Sequence, residues 1–312
     1  MNYVAGSISV LLATRNRKEI LDQFLERVAD IDHPQRWEVV VVDNGSTDGT
    51  AEVVARFAKR FPVKTLHEPA QGKSRALNKG ISNASGELLV FVDDDIEPAQ
   101  DWLTAWEQAM AEHPEANVFG GRISIEKGLL PAWLERSYNL KNLLAAEHDL
   151  GPESLRYPHN QYPWGPNIAV RHSALEGVAC PWPEDVGPGC RLPVGDEYAF
   201  LAKISRPSAQ DRLYVPASSV VHRPEAKDIV LPGSALRCFQ GGLASGLLHV
   251  NDSAATDSLP ERSATGWFGS RVIDRLRACC SWRELFLICV RATGTLSGSV
   301  IRRLRGSTIH DN

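Results

Sequence analysis

A run of three acidic residues, Asp93–Asp95, follows directly on the apolar segment Leu88–Val92. Adjacent carboxylates repel one another, and placing them beside a buried strand costs stability unless a cation or hydrogen-bond donors neutralise them. Mg²⁺ and Mn²⁺ bind carboxylate oxygens and keep coordination positions open for phosphate oxygens and water. The run therefore predicts a divalent-metal site that faces a diphosphate. The alternative is a solvated acidic turn or a helix N-cap that leads into Ile96–Pro98.

Polar residues also follow the two earlier apolar segments. Thr14–Arg17 comes after Ile8–Ala13, and Asp43–Asp48 comes after Val39–Val42. Since ligands of parallel sheets bind beyond the carboxyl ends of the strands, we expect these runs and the acidic run to meet at one crevice. The chain has no GxGxxG after its first apolar segment and no GxxxxGK[ST] loop. This excludes the Rossmann dinucleotide site and the P-loop, and leaves phosphate to be held by metal and side chains.

An alternation of strands and helices positions these runs. The three apolar segments predict buried strands, and the segments between and after them carry apolar residues at helical spacing. The predicted helices are Lys18–Ala29, a segment marked by Val53, Val54, Phe57 and Phe61, Ser74–Ala84 and Trp102–Met110. Strands that are apolar throughout are usually covered on both faces. The pattern predicts an α/β fold with a Rossmann-like, mainly parallel mixed sheet flanked by helices.

The composition is that of a folded protein, with 43% hydrophobic and 23% charged residues among 312. The net charge of -4 gives no basic excess, so nucleic acid is not an expected partner. The six cysteines form no CxxC pair and no His lies at zinc-finger spacing, which favours reduced thiols over a structural zinc site. No basic segment followed by a long apolar stretch begins the chain. We therefore expect a cytoplasmic protein.

The C-terminal region differs from the rest of the chain in charge. Nine Arg and two acidic residues between Arg262 and Arg305 give this region a charge of +7 and leave -11 for the remainder. Leu285–Val290 and Ala292–Ile301 are apolar or small, but both are far shorter than the ~20 residues that span a bilayer. We expect the region either to lie along the inner face of an anionic membrane, or to pack against the domain or a second subunit. Asn251–Thr265 is expected to be flexible.

Seven segments, taken in order, resemble a known family. They are SVLLATRNR at Ser9–Arg17, VVVVDNGSTDGT at Val39–Thr50, GKSRALNKGI at Gly72–Ile81, GELLVFVDDDIEP at Gly86–Pro98, WGPNIAVR at Trp164–Arg171, GDEYAFLAKI at Gly195–Ile204 and PASSVVHRPE at Pro216–Glu225. Together they make the chain similar to a family 2 glycosyltransferase with the GT-A fold. The resemblance implies a nucleotide-sugar-binding half at residues 1–120 and an acceptor-binding half at 121–230. Beyond the resemblance, we expect residues 231–312 to form a helical, basic C-terminal extension.

The resemblance implies a donor pocket in the first half of the chain. The nucleoside base and ribose would be lined by Thr14, Arg15, Asp43 and Asn44, with Lys73 or Arg75 nearby. The alternative for the last two residues is an exposed helix start.

The resemblance also implies a metal site. Asp93–Asp95 matches the DxD motif, in which Asp93 leans toward the ribose and Asp95 binds Mn²⁺ or Mg²⁺, with Asp93 as a further ligand and Asp94 at the variable position of the donor site. His222 matches a His that faces the diphosphate or completes the metal shell, and a neutral imidazole suits Mn²⁺. The alternative is a satisfied His at a strand end.

The reaction that the resemblance implies inverts the anomeric carbon and needs one carboxylate as base. Family members usually carry a Glu-Asp pair before an apolar helix and use its second carboxylate, whereas this chain has Asp196-Glu197. Position favours Glu197 and residue type favours Asp196, so both are candidates, with Glu197 preferred. The alternative is a helix N-cap with a dipole partner. Trp164 would offer an apolar face and Asn167 polar groups to the acceptor, and plain packing is the alternative for the aromatic ring.

The resemblance therefore implies an inverting, metal-dependent glycosyltransferase. Its donor would be a nucleotide sugar, by default a UDP-sugar, and its acceptor a hydroxyl of a glycan or of a lipid-linked molecule in polysaccharide or glycoconjugate synthesis. One alternative is a sugar nucleotidyltransferase, but such enzymes carry a Gly-rich loop where this chain has ATRNRKE. The other is a non-catalytic nucleotide-sugar or glycan-binding module, which Asp196, Glu197 and His222 oppose. A homo-oligomer is left open.

Overall fold

The computed structural model describes residues 3–31, 33, 36–157, 161–190, 192–204, 211–247 and most of 286–299. The chain divides into two compact units. Unit 1 comprises Met1–Glu126 and Ala146–Arg223, and unit 2 comprises Lys127–Ala145 and Pro224–Asn312. The expected flexible stretch Asn251–Thr265 and most of the basic region lie outside the described residues.

Strands and helices alternate through the first part of the chain, as the spacing of apolar residues predicts. The elements in chain order are β1 (Val4–Thr14), α1 (Lys18–Ala29), β2 (Trp37–Asp43), α2 (Thr50–Phe57), β3 (Val63–His67), α3 (Lys73–Asn83), β4 (Gly86–Val92), β5 (Ile96–Pro98), α4 (Trp102–Glu112), β6 (Val118–Ile125), α5 (Ala132–Glu135), α6 (Tyr138–Ala145), β7 (Leu155–Arg156), β8 (Asn167–Arg171), a 3₁₀ helix (His172–Leu175), α7 (Asp196–Ile204), β9 (Arg212–His222), α8 (Ala226–Ile229) and α9 (Leu231–Leu247).

The described strands belong to unit 1 and form one mixed sheet. Its order is β3-β2-β1-β4-β8-β6-β9-β5, and β7 pairs with β9. Parallel pairing joins β3, β2, β1 and β4, and also β6 and β9. In contrast, β8 is antiparallel to both of its neighbours, and β5 and β7 are antiparallel to β9. The predicted α/β fold with a mixed sheet is confirmed, and the antiparallel strands are concentrated in its second half.

The central strands are covered on both faces, which explains why their sequences are apolar throughout. On one face, alternate residues of β1 and β2 pack with α1 through Leu21 and Phe24 and with α2 through Val54. On the other face, the intervening residues of the same strands pack with α3 through Leu77 and Ile81. These two layers fix the ends of β1, β2 and β4 at the edge of the sheet where the polar runs begin.

Unit 2 is helical in the part that the structure describes. It contains α5, α6, α8 and α9, and the described residues from Phe286 to Ser299 are helical as well. A Cβ atom added to Gly242 would lie 2.0 Å from the carbonyl oxygen of Arg291, and one added to Gly294 would lie 2.2 Å from that of Phe239. Glycine therefore allows α9 and the 286–299 segment to pack backbone against backbone. Within the described residues, each helix is too short or too polar to cross a bilayer.

Candidate functional site

The structure brings together the polar runs that follow β1, β2 and β4. Thr14 and Asp43 are register partners at the ends of β1 and β2. The Thr14 hydroxyl donates to Oδ2 of Asp94 across 2.7 Å. The loop after β1 is tied to the loop after β2 because the backbone N–H of Thr47 donates to Oδ1 of Asn16 across 2.8 Å. The carboxyl ends of the three strands thus form one polar edge.

Arg17 lies between two carboxylates of the acidic run. Its Nη1 donates to Oδ1 of Asp94 across 2.5 Å, and its Nη2 donates to Oδ2 of Asp95 across 2.8 Å. Arg17 belongs to the polar run after β1, and its residue type and position alone indicate no role. The signal that would have found it is the adjacency of a cation after β1 to an acidic run after β4, since these two strands are paired.

The side chains of Asp94 and Thr14, which the resemblance implies as donor-binding residues, contact each other. Asp94 is only 2% exposed, and its two carboxylate oxygens are occupied by Thr14 and Arg17. Burial raises the pKa of Asp94 to about 7, and the neighbouring Asp95 adds to this rise while Arg17 opposes it. Asp94 and Thr14 therefore connect the loop after β4 with the end of β1.

Asp95 and His222 form the part of the site that suits a metal ion. His222 ends β9, whose pairing with β5 places its Nε2 3.3 Å from Oδ1 of Asp95. This oxygen is buried and has the imidazole of His222 as its direct neighbour. Burial alone would raise the pKa of Asp95, but His222 and Arg17 together hold it below the usual value, so the carboxylate is charged.

A buried carboxylate oxygen beside an imidazole nitrogen fits Mn²⁺ or Mg²⁺, because both ions accept oxygen ligands and Mn²⁺ also accepts nitrogen. No group of three His, Cys, Asp or Glu side chains in the described part of the chain converges as a complete metal site. Protein ligands from Asp95 and His222 would therefore need oxygen atoms from a bound diphosphate to complete the coordination shell.

Asn44, which the resemblance implies as a nucleoside-pocket residue, supports a loop. Its side-chain amide donates to the carbonyl oxygens of Glu68 and Ala70 at 2.9 and 2.7 Å, and its Oδ1 accepts from the N–H of Gly72 at 2.8 Å. Asn44 is 5% exposed, so these backbone partners occupy it fully. It holds the segment from β3 to α3 beside the end of β2.

The remaining predicted nucleoside residues lie around the same edge. Asp43 is buried and its Oδ1 accepts from the N–H of Ser46 across 2.8 Å. Arg15 is exposed at the end of β1. Arg75, near the start of α3, pairs with Glu184 at 3.0 Å. Arg75 is thus held by the segment before α7, whereas Arg15 is exposed beside the polar edge.

Lys73 lies near both the acidic run and the two predicted catalytic bases, Asp196 and Glu197. Its Nζ donates to Oδ1 of Asp93 across 2.5 Å. Burial alone would lower the pKa of Lys73, but the charges of Asp93, Asp196 and Glu197 raise it above its usual value. Lys73 is therefore a cation that contacts Asp93 directly and lies near Asp196 and Glu197.

The two predicted bases at the start of α7 have different surroundings. Asp196 is 3% exposed, and burial with the adjacent charge of Glu197 raises its pKa well above the usual value. Its Oδ2 is buried and accepts no hydrogen bond in the part of the chain that the structure describes. Glu197 is half-buried and packs against Gly165, where an added Cβ would lie only 2.2 Å from its Oε1. Glycine at 165 leaves the space that the Glu197 carboxylate fills.

Asn167, which the resemblance implies as an acceptor-binding residue, lies inside the fold. Asn167 is fully buried, its Oδ1 accepts from Nε1 of Trp102 at 3.0 Å, and its Nδ2 donates to the carbonyl oxygens of Arg122 and Ser218 at 3.1 and 2.9 Å. It joins β8 to β6, β9 and α4. Trp164 is half-buried and packs against the core, so the alternative of plain packing describes part of its surface.

Comparison with known proteins shows what the chain is similar to. The family model of Glycosyl transferase family 2 matches residues 9–178. The glycosyltransferase AglE of Haloferax volcanii is 36% identical over 99 residues, which are 31% of this chain and 33% of that protein. The matched segment thus spans about a third of the relative's length.

Two solved structures share the fold. The mannosyltransferase PcManGT from Pyrobaculum calidifontis, in complex with GDP-Man and Mn²⁺, superposes with a TM-score of 0.59 at 21% identity, covering 93% of this chain and 86% of that one. S. aureus TarS 1-349 in complex with UDP superposes with a TM-score of 0.51 at 17% identity, covering 93% and 90%. The GT-A fold implied by the sequence resemblance is confirmed by these superpositions.

Proposed function

The chain belongs to glycosyl transferase family 2, and on this premise we propose that it is an inverting, metal-dependent enzyme that transfers a sugar from a nucleotide sugar to a hydroxyl group. The observation that carries the proposal is the cluster around Lys73. This cation contacts Asp93 of the acidic run and lies in the field of Asp196 and Glu197, which begin α7. A donor-side acidic motif and a pair of candidate bases therefore belong to one charge cluster.

The donor side of the proposal rests on the polar edge formed by β1, β2 and β4. Asp95 and His222 would hold Mn²⁺ or Mg²⁺, with Asp93 nearby and Arg15 and Asp43 toward the nucleoside. A bound divalent ion would neutralise the charge that develops on the nucleoside diphosphate as it leaves. UDP is the default nucleotide. The similar structures were solved with UDP in one case and GDP-Man in the other, so a test must include both uridine and guanosine nucleotides.

The acceptor side of the proposal assigns the base role to Glu197. A general base must be charged and must reach the hydroxyl that it deprotonates. Glu197 is half-buried at the start of α7, whereas Asp196 is buried with a raised pKa, which favours its protonated form. Asp196 would then position α7 and Lys73, and Glu197 would take the proton from the acceptor hydroxyl.

The two alternatives fit the structure less well. A sugar nucleotidyltransferase would need a Gly-rich loop after β1, and this loop contains Thr14–Arg17 with Arg17 paired to the acidic run. A binding module without catalysis has no need for a glycine that makes room for the Glu197 carboxylate. Donor hydrolysis by the purified protein would distinguish the enzyme from the binding module.

The proposal is tested by thermal unfolding of the full chain with UDP-, GDP- and dTDP-sugars, with and without Mn²⁺. A ligand that binds only the folded state raises the unfolding temperature. We expect one nucleotide class to raise it only when Mn²⁺ is present, and Asp95→Ala to abolish the rise. Asp22→Ala, which removes an exposed carboxylate on α1, is the matched control and should keep it. An identical response of both variants would exclude Asp95 as a metal ligand.

We also propose that the acceptor is lipid-linked and that unit 2 contacts an anionic membrane surface. Unit 2 exposes Leu236 by 58%, Phe286 by 45% and Leu296 by 61%. An apolar face flanked by arginines favours the headgroup region of an anionic bilayer. The sequence beyond Arg262 supplies such arginines.

Co-sedimentation with phosphatidylglycerol vesicles tests the membrane contact, and phosphatidylcholine vesicles are the neutral reference. We expect binding to the anionic vesicles only, and loss of binding in the double variant Leu236→Glu and Leu296→Glu. Val4→Glu replaces an exposed apolar residue of unit 1 and should bind like the original chain. Equal sedimentation with and without vesicles would remove this proposal while leaving the enzymatic one intact.

A further inference from the structure

Arg17 places a cation on the carboxylates that the proposed metal site uses. Its guanidinium spans Asp94 and Asp95 at 2.5 and 2.8 Å, and its side chain is 26% exposed. The residue stands at the N-terminus of α1, where its backbone carbonyl accepts from Ile20 and Leu21. Its backbone is therefore fixed by the helix, and its side chain reaches across to the loop after β4.

The acidic run is neutralised by two cations of the chain itself. Arg17 pairs with Asp94 and Asp95, and Lys73 pairs with Asp93. Adjacent carboxylates beside a buried strand would repel one another without such partners. The loop can therefore keep its conformation before any metal ion binds.

The two carboxylate oxygens of Asp95 face different neighbours: one contacts Arg17, and the other lies at the proposed metal position. The Oδ2 atom accepts from Arg17, while the Oδ1 atom lies 3.3 Å from Nε2 of His222. A divalent ion at Oδ1 would lie within a few ångströms of the guanidinium. Like charges at such distances repel each other more strongly near a protein surface than in bulk water, because the effective dielectric constant is lower.

We propose that Arg17 is a built-in competitor of the divalent metal, which keeps metal affinity low until a nucleoside diphosphate is bound. This inference rests on the proposed function. The diphosphate brings negative charge that a guanidinium binds well, because its planar fork matches phosphate oxygens. When Arg17 turns toward the diphosphate, the repulsion of the metal falls and Oδ2 of Asp95 becomes free. Binding of metal and nucleotide is then coupled, and the coupling is reciprocal.

The experiment measures the affinity of the full chain for Mn²⁺ from the electron paramagnetic resonance signal of the free ion, with and without UDP or GDP. The original chain should bind Mn²⁺ much more tightly with nucleotide than without it. Arg17→Met should bind Mn²⁺ at least about tenfold more tightly than the original chain when nucleotide is absent. The same variant should show a smaller tightening by nucleotide, since part of the coupling has been removed.

Two further variants separate competition from a purely structural role. Arg17→Lys keeps the positive charge, so its affinity for Mn²⁺ without nucleotide should stay close to that of the original chain. Arg56→Met removes an arginine of an exposed ion pair on α2 and should leave the affinity unchanged. If Arg17→Met does not fold, Arg17→Gln keeps hydrogen-bond donors without the charge and takes its place.

The outcomes distinguish this inference from the proposed function. Coupled binding in the original chain together with equal or weaker Mn²⁺ binding by the uncharged Arg17 variants would overturn the competition and leave metal-dependent transfer standing. Absence of Mn²⁺ binding by the original chain with either nucleotide would overturn both. Tighter Mn²⁺ binding in every Arg17 variant, including lysine, would show that the fork and not the charge excludes the metal, and would also overturn the inference.

Discussion

The carboxylates of Asp196 and Glu197 are adjacent in sequence but differ in solvation. Asp196 is buried beside Gly187, where an added Cβ would lie 2.9 Å from its Cγ, whereas Glu197 is half-buried beside Gly165. Burial favours the neutral form of a carboxyl group. Asp196 is therefore suited to a positioning role, and Glu197 is the candidate for the general base.

Glu197→Gln should therefore lower kcat by about 10²–10⁴-fold, the range found for loss of a general base, with little change in donor binding. Asp196→Asn keeps the shape of the buried side chain and should lower kcat less. The measurement is steady-state transfer for both variants, with donor affinity from thermal unfolding. A larger kcat loss in Asp196→Asn than in Glu197→Gln would reverse the assignment of the base.

We expect Asn167 to stabilise the fold. Asn167→Ala leaves Nε1 of Trp102 and the carbonyl oxygens of Arg122 and Ser218 without their partner. Each unsatisfied buried group costs about 1–3 kcal/mol, so we expect the free energy of unfolding to fall by at least about 2 kcal/mol. Urea unfolding measures this loss.

The control for this change is Asn83→Ala at the exposed end of α3, which should alter the free energy of unfolding by less than about 0.5 kcal/mol. An Asn167→Ala variant that is as stable as this control but has a raised KM for the acceptor would support the predicted acceptor-binding role of Asn167.

Residue types and order along the chain located the candidate site, but they could not separate residues that face a ligand from residues that hold loops. His222 lies beside Asp95 although the two are far apart in sequence, and the resemblance had placed both in one metal shell. Asn44 and Asn167 have the polar groups of binding residues, yet backbone atoms from distant segments occupy those groups. Such partners depend on tertiary contacts that a single sequence does not show.

At the scale of elements, hydrogen bonds from α3 hold the segment before α7 in place. The Ser74 hydroxyl donates to the carbonyl oxygen of Val186 across 2.8 Å, and Nδ2 of Asn78 donates to that of Trp182 across 2.8 Å. The backbone N–H of Lys73 donates to the carbonyl oxygen of Pro188 across 3.2 Å. One face of α3 therefore sets the path of the chain that leads to the predicted bases.

The segment before β8 shapes the site by leaving out a side chain. In Gly165→Ala, the new Cβ would lie 2.2 Å from Oε1 of Glu197 and 2.9 Å from its Cδ, so the flexible carboxylate must move. Misplacing a reacting group by about 1 Å can cost about 10²-fold in rate. We expect kcat to fall by about 10–100-fold while the unfolding temperature changes little.

The double variant Gly165→Ala with Glu197→Gln provides the control. If the alanine acts by displacing the carboxylate, the double variant should be no slower than Glu197→Gln alone, because coupled changes are not additive. Additive losses would mean that Gly165 acts on the reaction through another route.

Element prediction succeeded where apolar periodicity was strong and failed where it was weak. The predicted helix Lys18–Ala29 matches α1, and the valine run of β2 lies within Trp37–Asp43. No strand was predicted at β3, Val63–His67, which is a short edge strand with residues that are exposed or half-buried. An edge strand with so little burial carries no continuous apolar run, so its presence is decided by its pairing with β2.

For the molecule as a whole, His148 links folding stability to pH. Its Nε2 lies 2.7 Å from the Tyr157 hydroxyl, and its ring contacts that of Tyr214. Burial lowers the pKa of His148 to about 4, and Asp149 only partly opposes this. In the unfolded chain its pKa is about 6.5, so between these values the unfolded state binds more protons. Stability should therefore fall as the pH drops from about 6.5 to about 4.

His148→Gln keeps a hydrogen-bonding side chain but removes this titration. The free energy of unfolding of the original chain should fall between pH 7 and 5 by up to about 2 kcal/mol more than that of the variant, at ~1.4 kcal/mol per pH unit. Urea unfolding of both proteins at pH 7, 6 and 5 measures the difference, in which the titration of other groups cancels. Parallel pH dependences would show that folding does not lower the pKa of His148.

The face of α3 that holds Ser74 and Asn78 limits how this chain can be recombined with its relatives. Exchanging the second part of the chain for that of another family member, to change the acceptor, would leave α3 facing a segment with different carbonyl positions. The chimera would retain both sets of functional residues but lose their alignment. An exchange that includes residues 72–78 together with 182–197 transfers both partners of these hydrogen bonds. We expect this exchange to yield active hybrids.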